Sequence, residues 1–212
     1  GTIALAREKV KIDLYPIIRP RGGEFLYSDL EFEVMKRDIE QSKLLGCNGV
    51  VIGILLPDGR VDKQRCKILV DLALPMGVTF HRAFDMTNDP FQALEDCIEA
   101  GFDRILTAGQ QAAAVKGADL IGQLIKKANG RIAIMPGSGI NENTVAEIIT
   151  KSGAKEIHFS ATAFRDSSMQ FKNQQISGMG SDEGAEFKLR TVDPARIKKT
   201  RELAESAKSL SV

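Results

Sequence analysis

A histidine, an arginine and an aspartate fall within five residues in Val78-Thr79-Phe80-His81-Arg82-Ala83-Phe84-Asp85. Imidazole titrates near neutrality, so His81 is the natural general acid or base of the chain. Arg82 adds a cation and Asp85 a carboxylate that can orient the ring. These three are the candidate catalytic residues. The competing reading is a structural histidine bonded to Asp85, because no nucleophile stands beside the pair.

Further groups suit an anion. Arg19 and Arg21, in Ile18-Arg19-Pro20-Arg21-Gly22-Gly23, carry guanidinium forks that match a carboxylate or phosphate, or pin the loop through salt bridges. Thr107, Gly109 and Gln110 close an apolar run, where they either position a substrate or satisfy loop backbone groups. Pro136-Gly137-Ser138-Gly139 exposes backbone amides ahead of a helix capped near Asn141 or Asn143. His158 and Ser160 alternate with Ile157 and Phe159, so they share one strand face. The substrate such a set implies is a small phosphorylated or carboxylated metabolite, and the chemistry a lyase, isomerase or hydrolase reaction.

The elements that must position these residues alternate regularly. Residues 1–9 read as the tail of an amphipathic helix and 11–19 as a strand. A capping box, Ser28-Asp29-Leu30-Glu31, opens a helix carried by Phe32, Met35, Ile39, Leu44 and Leu45. Strands follow at 49–55, 78–82, 104–107, 131–135 and 156–160, separated by helices, including ones over 89–100 and 141–152. From 165 to 190 the pattern lapses into a Ser-, Gly- and Gln-rich loop with a short strand near 186–191, and a closing helix runs from Asp193-Pro194 to about 208.

Strand–helix alternation calls for a parallel sheet covered by helices. An open doubly wound sheet would carry its glycine fingerprint after the first strand, and none is there. A TIM (β/α)8-type barrel places its phosphate loops after strands seven and eight. With two β/α units missing upstream, the Gly137-Ser138-Gly139 loop follows strand seven and His158 ends strand eight. The expectation is therefore one α/β barrel domain over 1–212, truncated at its N-terminus and holding about six of the eight strands. Its unpaired edges call for cover, and a homo-oligomer is one way to provide it.

Composition narrows the partners. Against 28 acidic residues stand 29 basic ones, so no bulk field favours nucleic acid or an anionic membrane. No apolar run reaches the roughly 20 residues of a membrane span. Cys47, Cys66 and Cys97 share no short spacing and leave one unpaired in any disulfide scheme, which suits a reducing cytoplasm.

Ile18-Arg19-Pro20-Arg21-Gly22-Gly23 with Tyr27-Ser28-Asp29, Thr79-Phe80-His81-Arg82-Ala83-Phe84-Asp85, Arg104-Ile105-Leu106-Thr107 with Gly109, Pro136-Gly137-Ser138-Gly139 and Met169-Gln170-Phe171-Lys172-Asn173 together resemble the CutC copper homeostasis family. The resemblance implies a β/α barrel, a cytoplasmic location and copper as the ion handled. It also implies two further N-terminal units whose strand ends carry glutamates and a cysteine considered for copper binding. In this sequence the residues offer copper less. Cys47 reads as lying at a helix-to-strand join, Cys66 and Cys97 as lying within helices, in three different units and too far apart to share an ion. Met86, Met135, Met169 and Met179 are the remaining soft donors.

Overall fold

The computed structural model describes residues 1–173, 175 and 187–209. Helix α1 (Thr2–Lys9) precedes α2 (Asp29–Leu44), whose start is fixed by the expected capping box: Ser28 Oγ accepts from Glu31 N–H, and the Glu31 carboxylate accepts from Ser28 N–H at 2.8 Å. Four parallel strands then alternate with helices. These are β1 (Gly49–Ile52), α3 (Lys63–Ala73), β2 (Gly77–Phe80), a 3-10 turn (Arg82–Met86), α4 (Pro90–Ala100), β3 (Arg104–Thr107), α5 (Ala118–Ala128), β4 (Ala133–Pro136) and α6 (Val145–Ser152). Asp89 caps α4 with Pro90 in the first turn, and left-handed Gly101, Asn129 and Gly153 end α4, α5 and α6.

The strands pair in sequence order, with Val51 opposite Thr79, Thr79 opposite Arg104 and Arg104 opposite Ala133. Because side chains alternate, Val50, Ile52, Val78, Phe80, Ile105 and Ile134 face the helices. They are buried there with Leu69, Leu94, Cys97, Ile121 and Ile148 in one core. The opposite, inner face carries Val51, Thr79, Arg104, Leu106, Ala133 and Met135. Arg104 ties that face together by donating to Glu156 and, at 3.2 Å, to Thr79 Oγ1.

Two expected strands appear only as flanking segments. Along 11–19 just Ile17 pairs with Val51, with Ile18 N–H donating to Val51 O at 2.8 Å and Val51 N–H to Pro16 O at 2.9 Å. Pro16 has no N–H to extend the ladder. Residues 156–160 meet β4 through one bond, His158 N–H to Pro136 O at 2.8 Å, and here too a proline cannot donate in return.

The expected loop from 165 begins instead in a hairpin, β5 (Thr162–Asp166) antiparallel to β6 (Lys188–Val192). The short strand expected near 186–191 is β6, and its first residue, Glu186, lies outside the described residues. The closing helix α7 (Pro194–Ser209) packs on α6. The helix expected over 141–152 is regular only from Val145 onward. Ahead of it Asn141 folds into a side-chain turn, accepting from Asn143 N–H at 2.8 Å.

The loop after β3 is pressed against the start of α5. A Cβ on Gly117 would stand 2.0 Å from Ala108 O, although the Gly117 backbone suits any residue. Gly117→Ala should therefore destabilise the fold by about 1–3 kcal/mol, the usual cost of forcing extra atoms into a packed site. Gly122→Ala, inside α5, would make only ordinary contacts from 3.5 Å outward. It should stabilise by roughly 0.5–1 kcal/mol through helix propensity. Urea unfolding of both variants checks the opposite signs.

Candidate functional site

Parallel strands bring their carboxyl ends to one side, and the singled-out residues gather there. Asp85, with a side chain only 6% exposed, is the hub. It accepts hydrogen bonds from Arg82 Nε (2.7 Å), Thr107 Oγ1 (2.5 Å), Ala108 N–H (3.0 Å) and Gln110 N–H (3.1 Å). The loop after β2 is thereby tied to the loop after β3, and Arg82 is held by its Nε edge. Thr107, Gly109 and Gln110 serve this loop. Thr107 Oγ1 accepts from Gly109 N–H, and Gln110 Nε2 donates to Thr87 O at 2.7 Å. All three thus make hydrogen bonds within these two loops.

His81 and Asp85 are not joined, contrary to both readings of the pair. His81 Nδ1 accepts from Ala83 N–H at 3.1 Å, which places the proton of the neutral ring on Nε2. That Nε2–H has no partner among the described residues. Burial, aided by the positive charge of Arg19, pulls the His81 pKa down to about 4. The ring is thus a fixed neutral donor at physiological pH. Its seat requires Gly53, where a Cβ would come 2.6 Å from the imidazole. The Phe25 ring covers it at 4.9 Å.

The loop after β4 turns on two successive left-handed residues, Ser138 (φ +83°) and Gly139 (φ +69°). It is anchored by Gly137 N–H donating to Thr107 O, by Ala114 N–H donating to Ser138 O, and by Ser138 Oγ donating to Ala112 O. Asn141 Nδ2 and Thr144 Oγ1 both donate to Gly139 O at 3.1 Å. The N–H groups of Ser138, Gly139 and Ile140 make no hydrogen bond within the described residues. Consecutive free amides in such a turn form an anion-binding concavity.

A cavity of about 360 Å³ lies before this loop, with Arg82, Ser138, Gly139, His158, Ser160 and Arg196 on its walls. His158 is exposed on the cavity wall, and partial desolvation lowers its pKa, so it too is mostly neutral at pH 7. Ser160 Oγ accepts from Thr162 Oγ1 at 2.9 Å. Arg196, from α7, donates to Thr162 O at 2.8 Å and pairs with Glu142 at 3.2 Å. Nothing in the sequence distinguishes Arg196 from the other basic residues of that helix.

Next to it, sharing Arg82 and Leu106, is a second cavity of about 390 Å³ lined also by Ile17, Arg19, Phe25, His81 and Met86. Arg19 therefore stands with His81, away from the glycine loop. Arg21 lines neither cavity: it pairs with Glu24 and Glu31 and pins its own loop.

The donor set does not match a thiolate copper centre. Burial pushes the Cys66 thiol up to about 12 and the Cys97 thiol well above its ordinary value, with the Cys66 thiol nearby adding to the effect. Cys47 is raised by burial as well. Copper binds the thiolate, which these sites disfavour. Among the described residues no three His, Cys, Asp or Glu side chains cluster as a metal site. Met86 and Met169 are exposed, Met135 lies on the inner face, and Met179 falls outside the described residues.

Comparison with known proteins agrees with the fold. The CutC family model matches residues 1–163. The mouse copper homeostasis protein cutC homolog (Mus musculus) is 45% identical over 97% of this chain and 75% of its own length. A CutC family protein of Parabacteroides distasonis is 48% identical over 89% of this chain and 77% of its own. The crystal structure of CutC from Streptococcus agalactiae superposes with a TM-score of 0.71 at 31% identity, covering 74% of this chain and 79% of that one. An aldolase, QR15, shares the fold alone, with a TM-score of 0.58 at 20% identity. No helix among the described residues is long and apolar enough to cross a membrane. With this α/β architecture, a family model covering most of its length and relatives of this similarity, the chain belongs to the CutC copper homeostasis family.

Proposed function

We propose that this chain binds a small phosphorylated or carboxylated metabolite at the carboxyl end of its parallel sheet and acts on it as a lyase, isomerase or hydrolase. One observation carries the reading. Three consecutive backbone amides, Ser138 to Ile140, have no partner among the described residues and border a cavity whose walls also bear Arg82, Arg196 and His158. The amides and guanidinium groups would hold the anion, since fixed N–H dipoles and planar forks match phosphate and carboxylate oxygens. Arg82, held through Nε by Asp85, keeps part of its fork for the ligand.

Proton transfer falls to His158 in this reading. Its side chain makes no hydrogen bond within the described residues, and its lowered pKa leaves a neutral ring able to accept a proton at pH 7. His81 cannot take that part while Nδ1 is occupied by Ala83 N–H; it donates from Nε2. The roles first given to His81 and Asp85 thus become a fixed donor and a scaffold.

Copper handling is the second reading, and it rests on the family and on Met86 and His81 lining one cavity. A thioether and an imidazole make a weak copper site at most. A cytoplasmic location fits either reading, because all three cysteines are free.

Calorimetric titration with inorganic phosphate should show one site per chain. Arg196→Ala should weaken it about 5–10-fold, as loss of one charge-assisted contact does, and Gly139→Asp should abolish it. Binding indifferent to both changes would place phosphate elsewhere. In a competition titration against a strong Cu(I) chelator, the chain should surrender its copper. Stoichiometric retention that is lost in Cys47→Ser, Cys66→Ser or Cys97→Ser would overturn the assignment.

The donor role of His81 has a pH signature. A histidine whose pKa is lower folded than unfolded binds more protons when unfolded, so its contribution is intact above about pH 6.5 and erodes as pH falls toward 4. Between pH 7 and 4.5 it should account for about 2 kcal/mol of lost stability. Urea unfolding should therefore show a loss smaller by that amount in His81→Gln. Equal losses in both proteins would contradict a buried neutral ring.

A further inference from the structure

We infer that the ligand has two unlike ends, an anionic group seated at the Ser138–Ile140 amides and an apolar, aryl-sized body that passes Arg82 and rests on Phe25. The inference depends on the proposed anion site and names the class of molecule that site takes. Its basis is that the two cavities share Arg82 and Leu106, so a ligand seated in the first and extended past those side chains enters the second.

The second chamber differs in kind from the first. Its apolar walls are Ile17, Phe25, Leu106 and Met86, and its charged groups, Arg19, Arg82 and Asp85, are partly engaged within the protein. Arg82 is paired with Asp85, while Arg19 donates to Gly23 O at 2.6 Å and lies over the Phe25 ring at 4.8 Å. The Phe25 ring touches both that guanidinium and the tilted imidazole of His81, contacts that fix it as a wall of the chamber. A sugar phosphate would set several hydroxyls against these carbon walls, each costing about 1–3 kcal/mol without a partner. An apolar body loses nothing there.

The mouth of the chamber also points to an occupant. Ile17 and Met86 are 60% and 66% exposed at the chamber mouth, apolar surface that a ligand would cover. His81, 3% exposed, also lines the chamber, but its Nε2–H, unpartnered among the described residues, is itself buried and takes no part in holding the apolar body.

The test titrates the full chain with inorganic phosphate, methyl phosphate and a series from phenyl phosphate to 4-phenylbutyl phosphate. The best phenylalkyl phosphate should bind at least ~10-fold more tightly than methyl phosphate, the worth of burying part of an aryl ring. The double variant Ile17→Ser, Met86→Ser, altered at exposed positions, should lose most of that gain while binding inorganic phosphate as before. If phosphate binds but the series brings no gain, or the gain survives the double variant, the two-ended ligand is wrong and the anion site stands. If inorganic phosphate itself does not bind, the proposed function falls and this inference with it.

Discussion

The carboxylate of Asp85 holds the carboxyl end of the sheet together. A buried carboxylate is costly unless its oxygens are occupied, and this one accepts from a guanidinium, a hydroxyl and two backbone amides. Those donors come from the turn after β2 and from the loop after β3, so one side chain fixes two loops. The second loop in turn steadies the third: Thr107, bonded to Asp85 through its hydroxyl, accepts Gly137 N–H through its carbonyl. The chain of contacts from Asp85 through Thr107 to the Ser138–Gly139 turn sets the shape of both cavities.

Arg82 shows what this arrangement achieves. Free in solution, an arginine would sweep a wide volume. Here its Nε is tied to Asp85 and its Nη2 donates to Gln111 O at 3.3 Å, so the group stands between the cavities as a partly committed cation. The two histidines divide along the same line. His81 is sealed beneath Phe25 and locked as a donor, whereas the ring nitrogens of His158 bond to no group among the described residues. Burial lowers both, but only the second leaves an imidazole open to the cavity.

Much of this was legible in the sequence, and the failures have physical causes. Alternation of apolar strands with capped helices pointed to the β/α fold, because the helix ends carry their own punctuation: Ser28 with Glu31, Asp89 with Pro90, Gly101, Gly153. Strand alternation put His158 and Ser160 on one face, and both line the same cavity. Strand extent was not legible, since Pro16 and Pro136 stop hydrogen-bond ladders that hydrophobic pattern alone would continue. The His81–Asp85 pairing failed because four residues of sequence separation cannot tell a tight 3-10 turn from an open loop, and the turn aims Asp85 at the neighbouring strand end. Arg21 and Arg19 look equivalent in sequence, yet Glu31 captures the first and Phe25 the second. Arg196 reaches the cavity from a distant helix through Glu142, a contact with no local signature.

The central claim is that free amides after β4 form an anion seat between two guanidinium groups. Backbone amide shifts of an isotope-labelled chain, followed by NMR while inorganic phosphate is added, test it most directly. Ser138, Gly139 and Ile140 should move together along one saturating curve, with the His158 ring following and the His81 ring unchanged. Saturable shifts confined to other loops, or only linear drift at surface lysines, would contradict it.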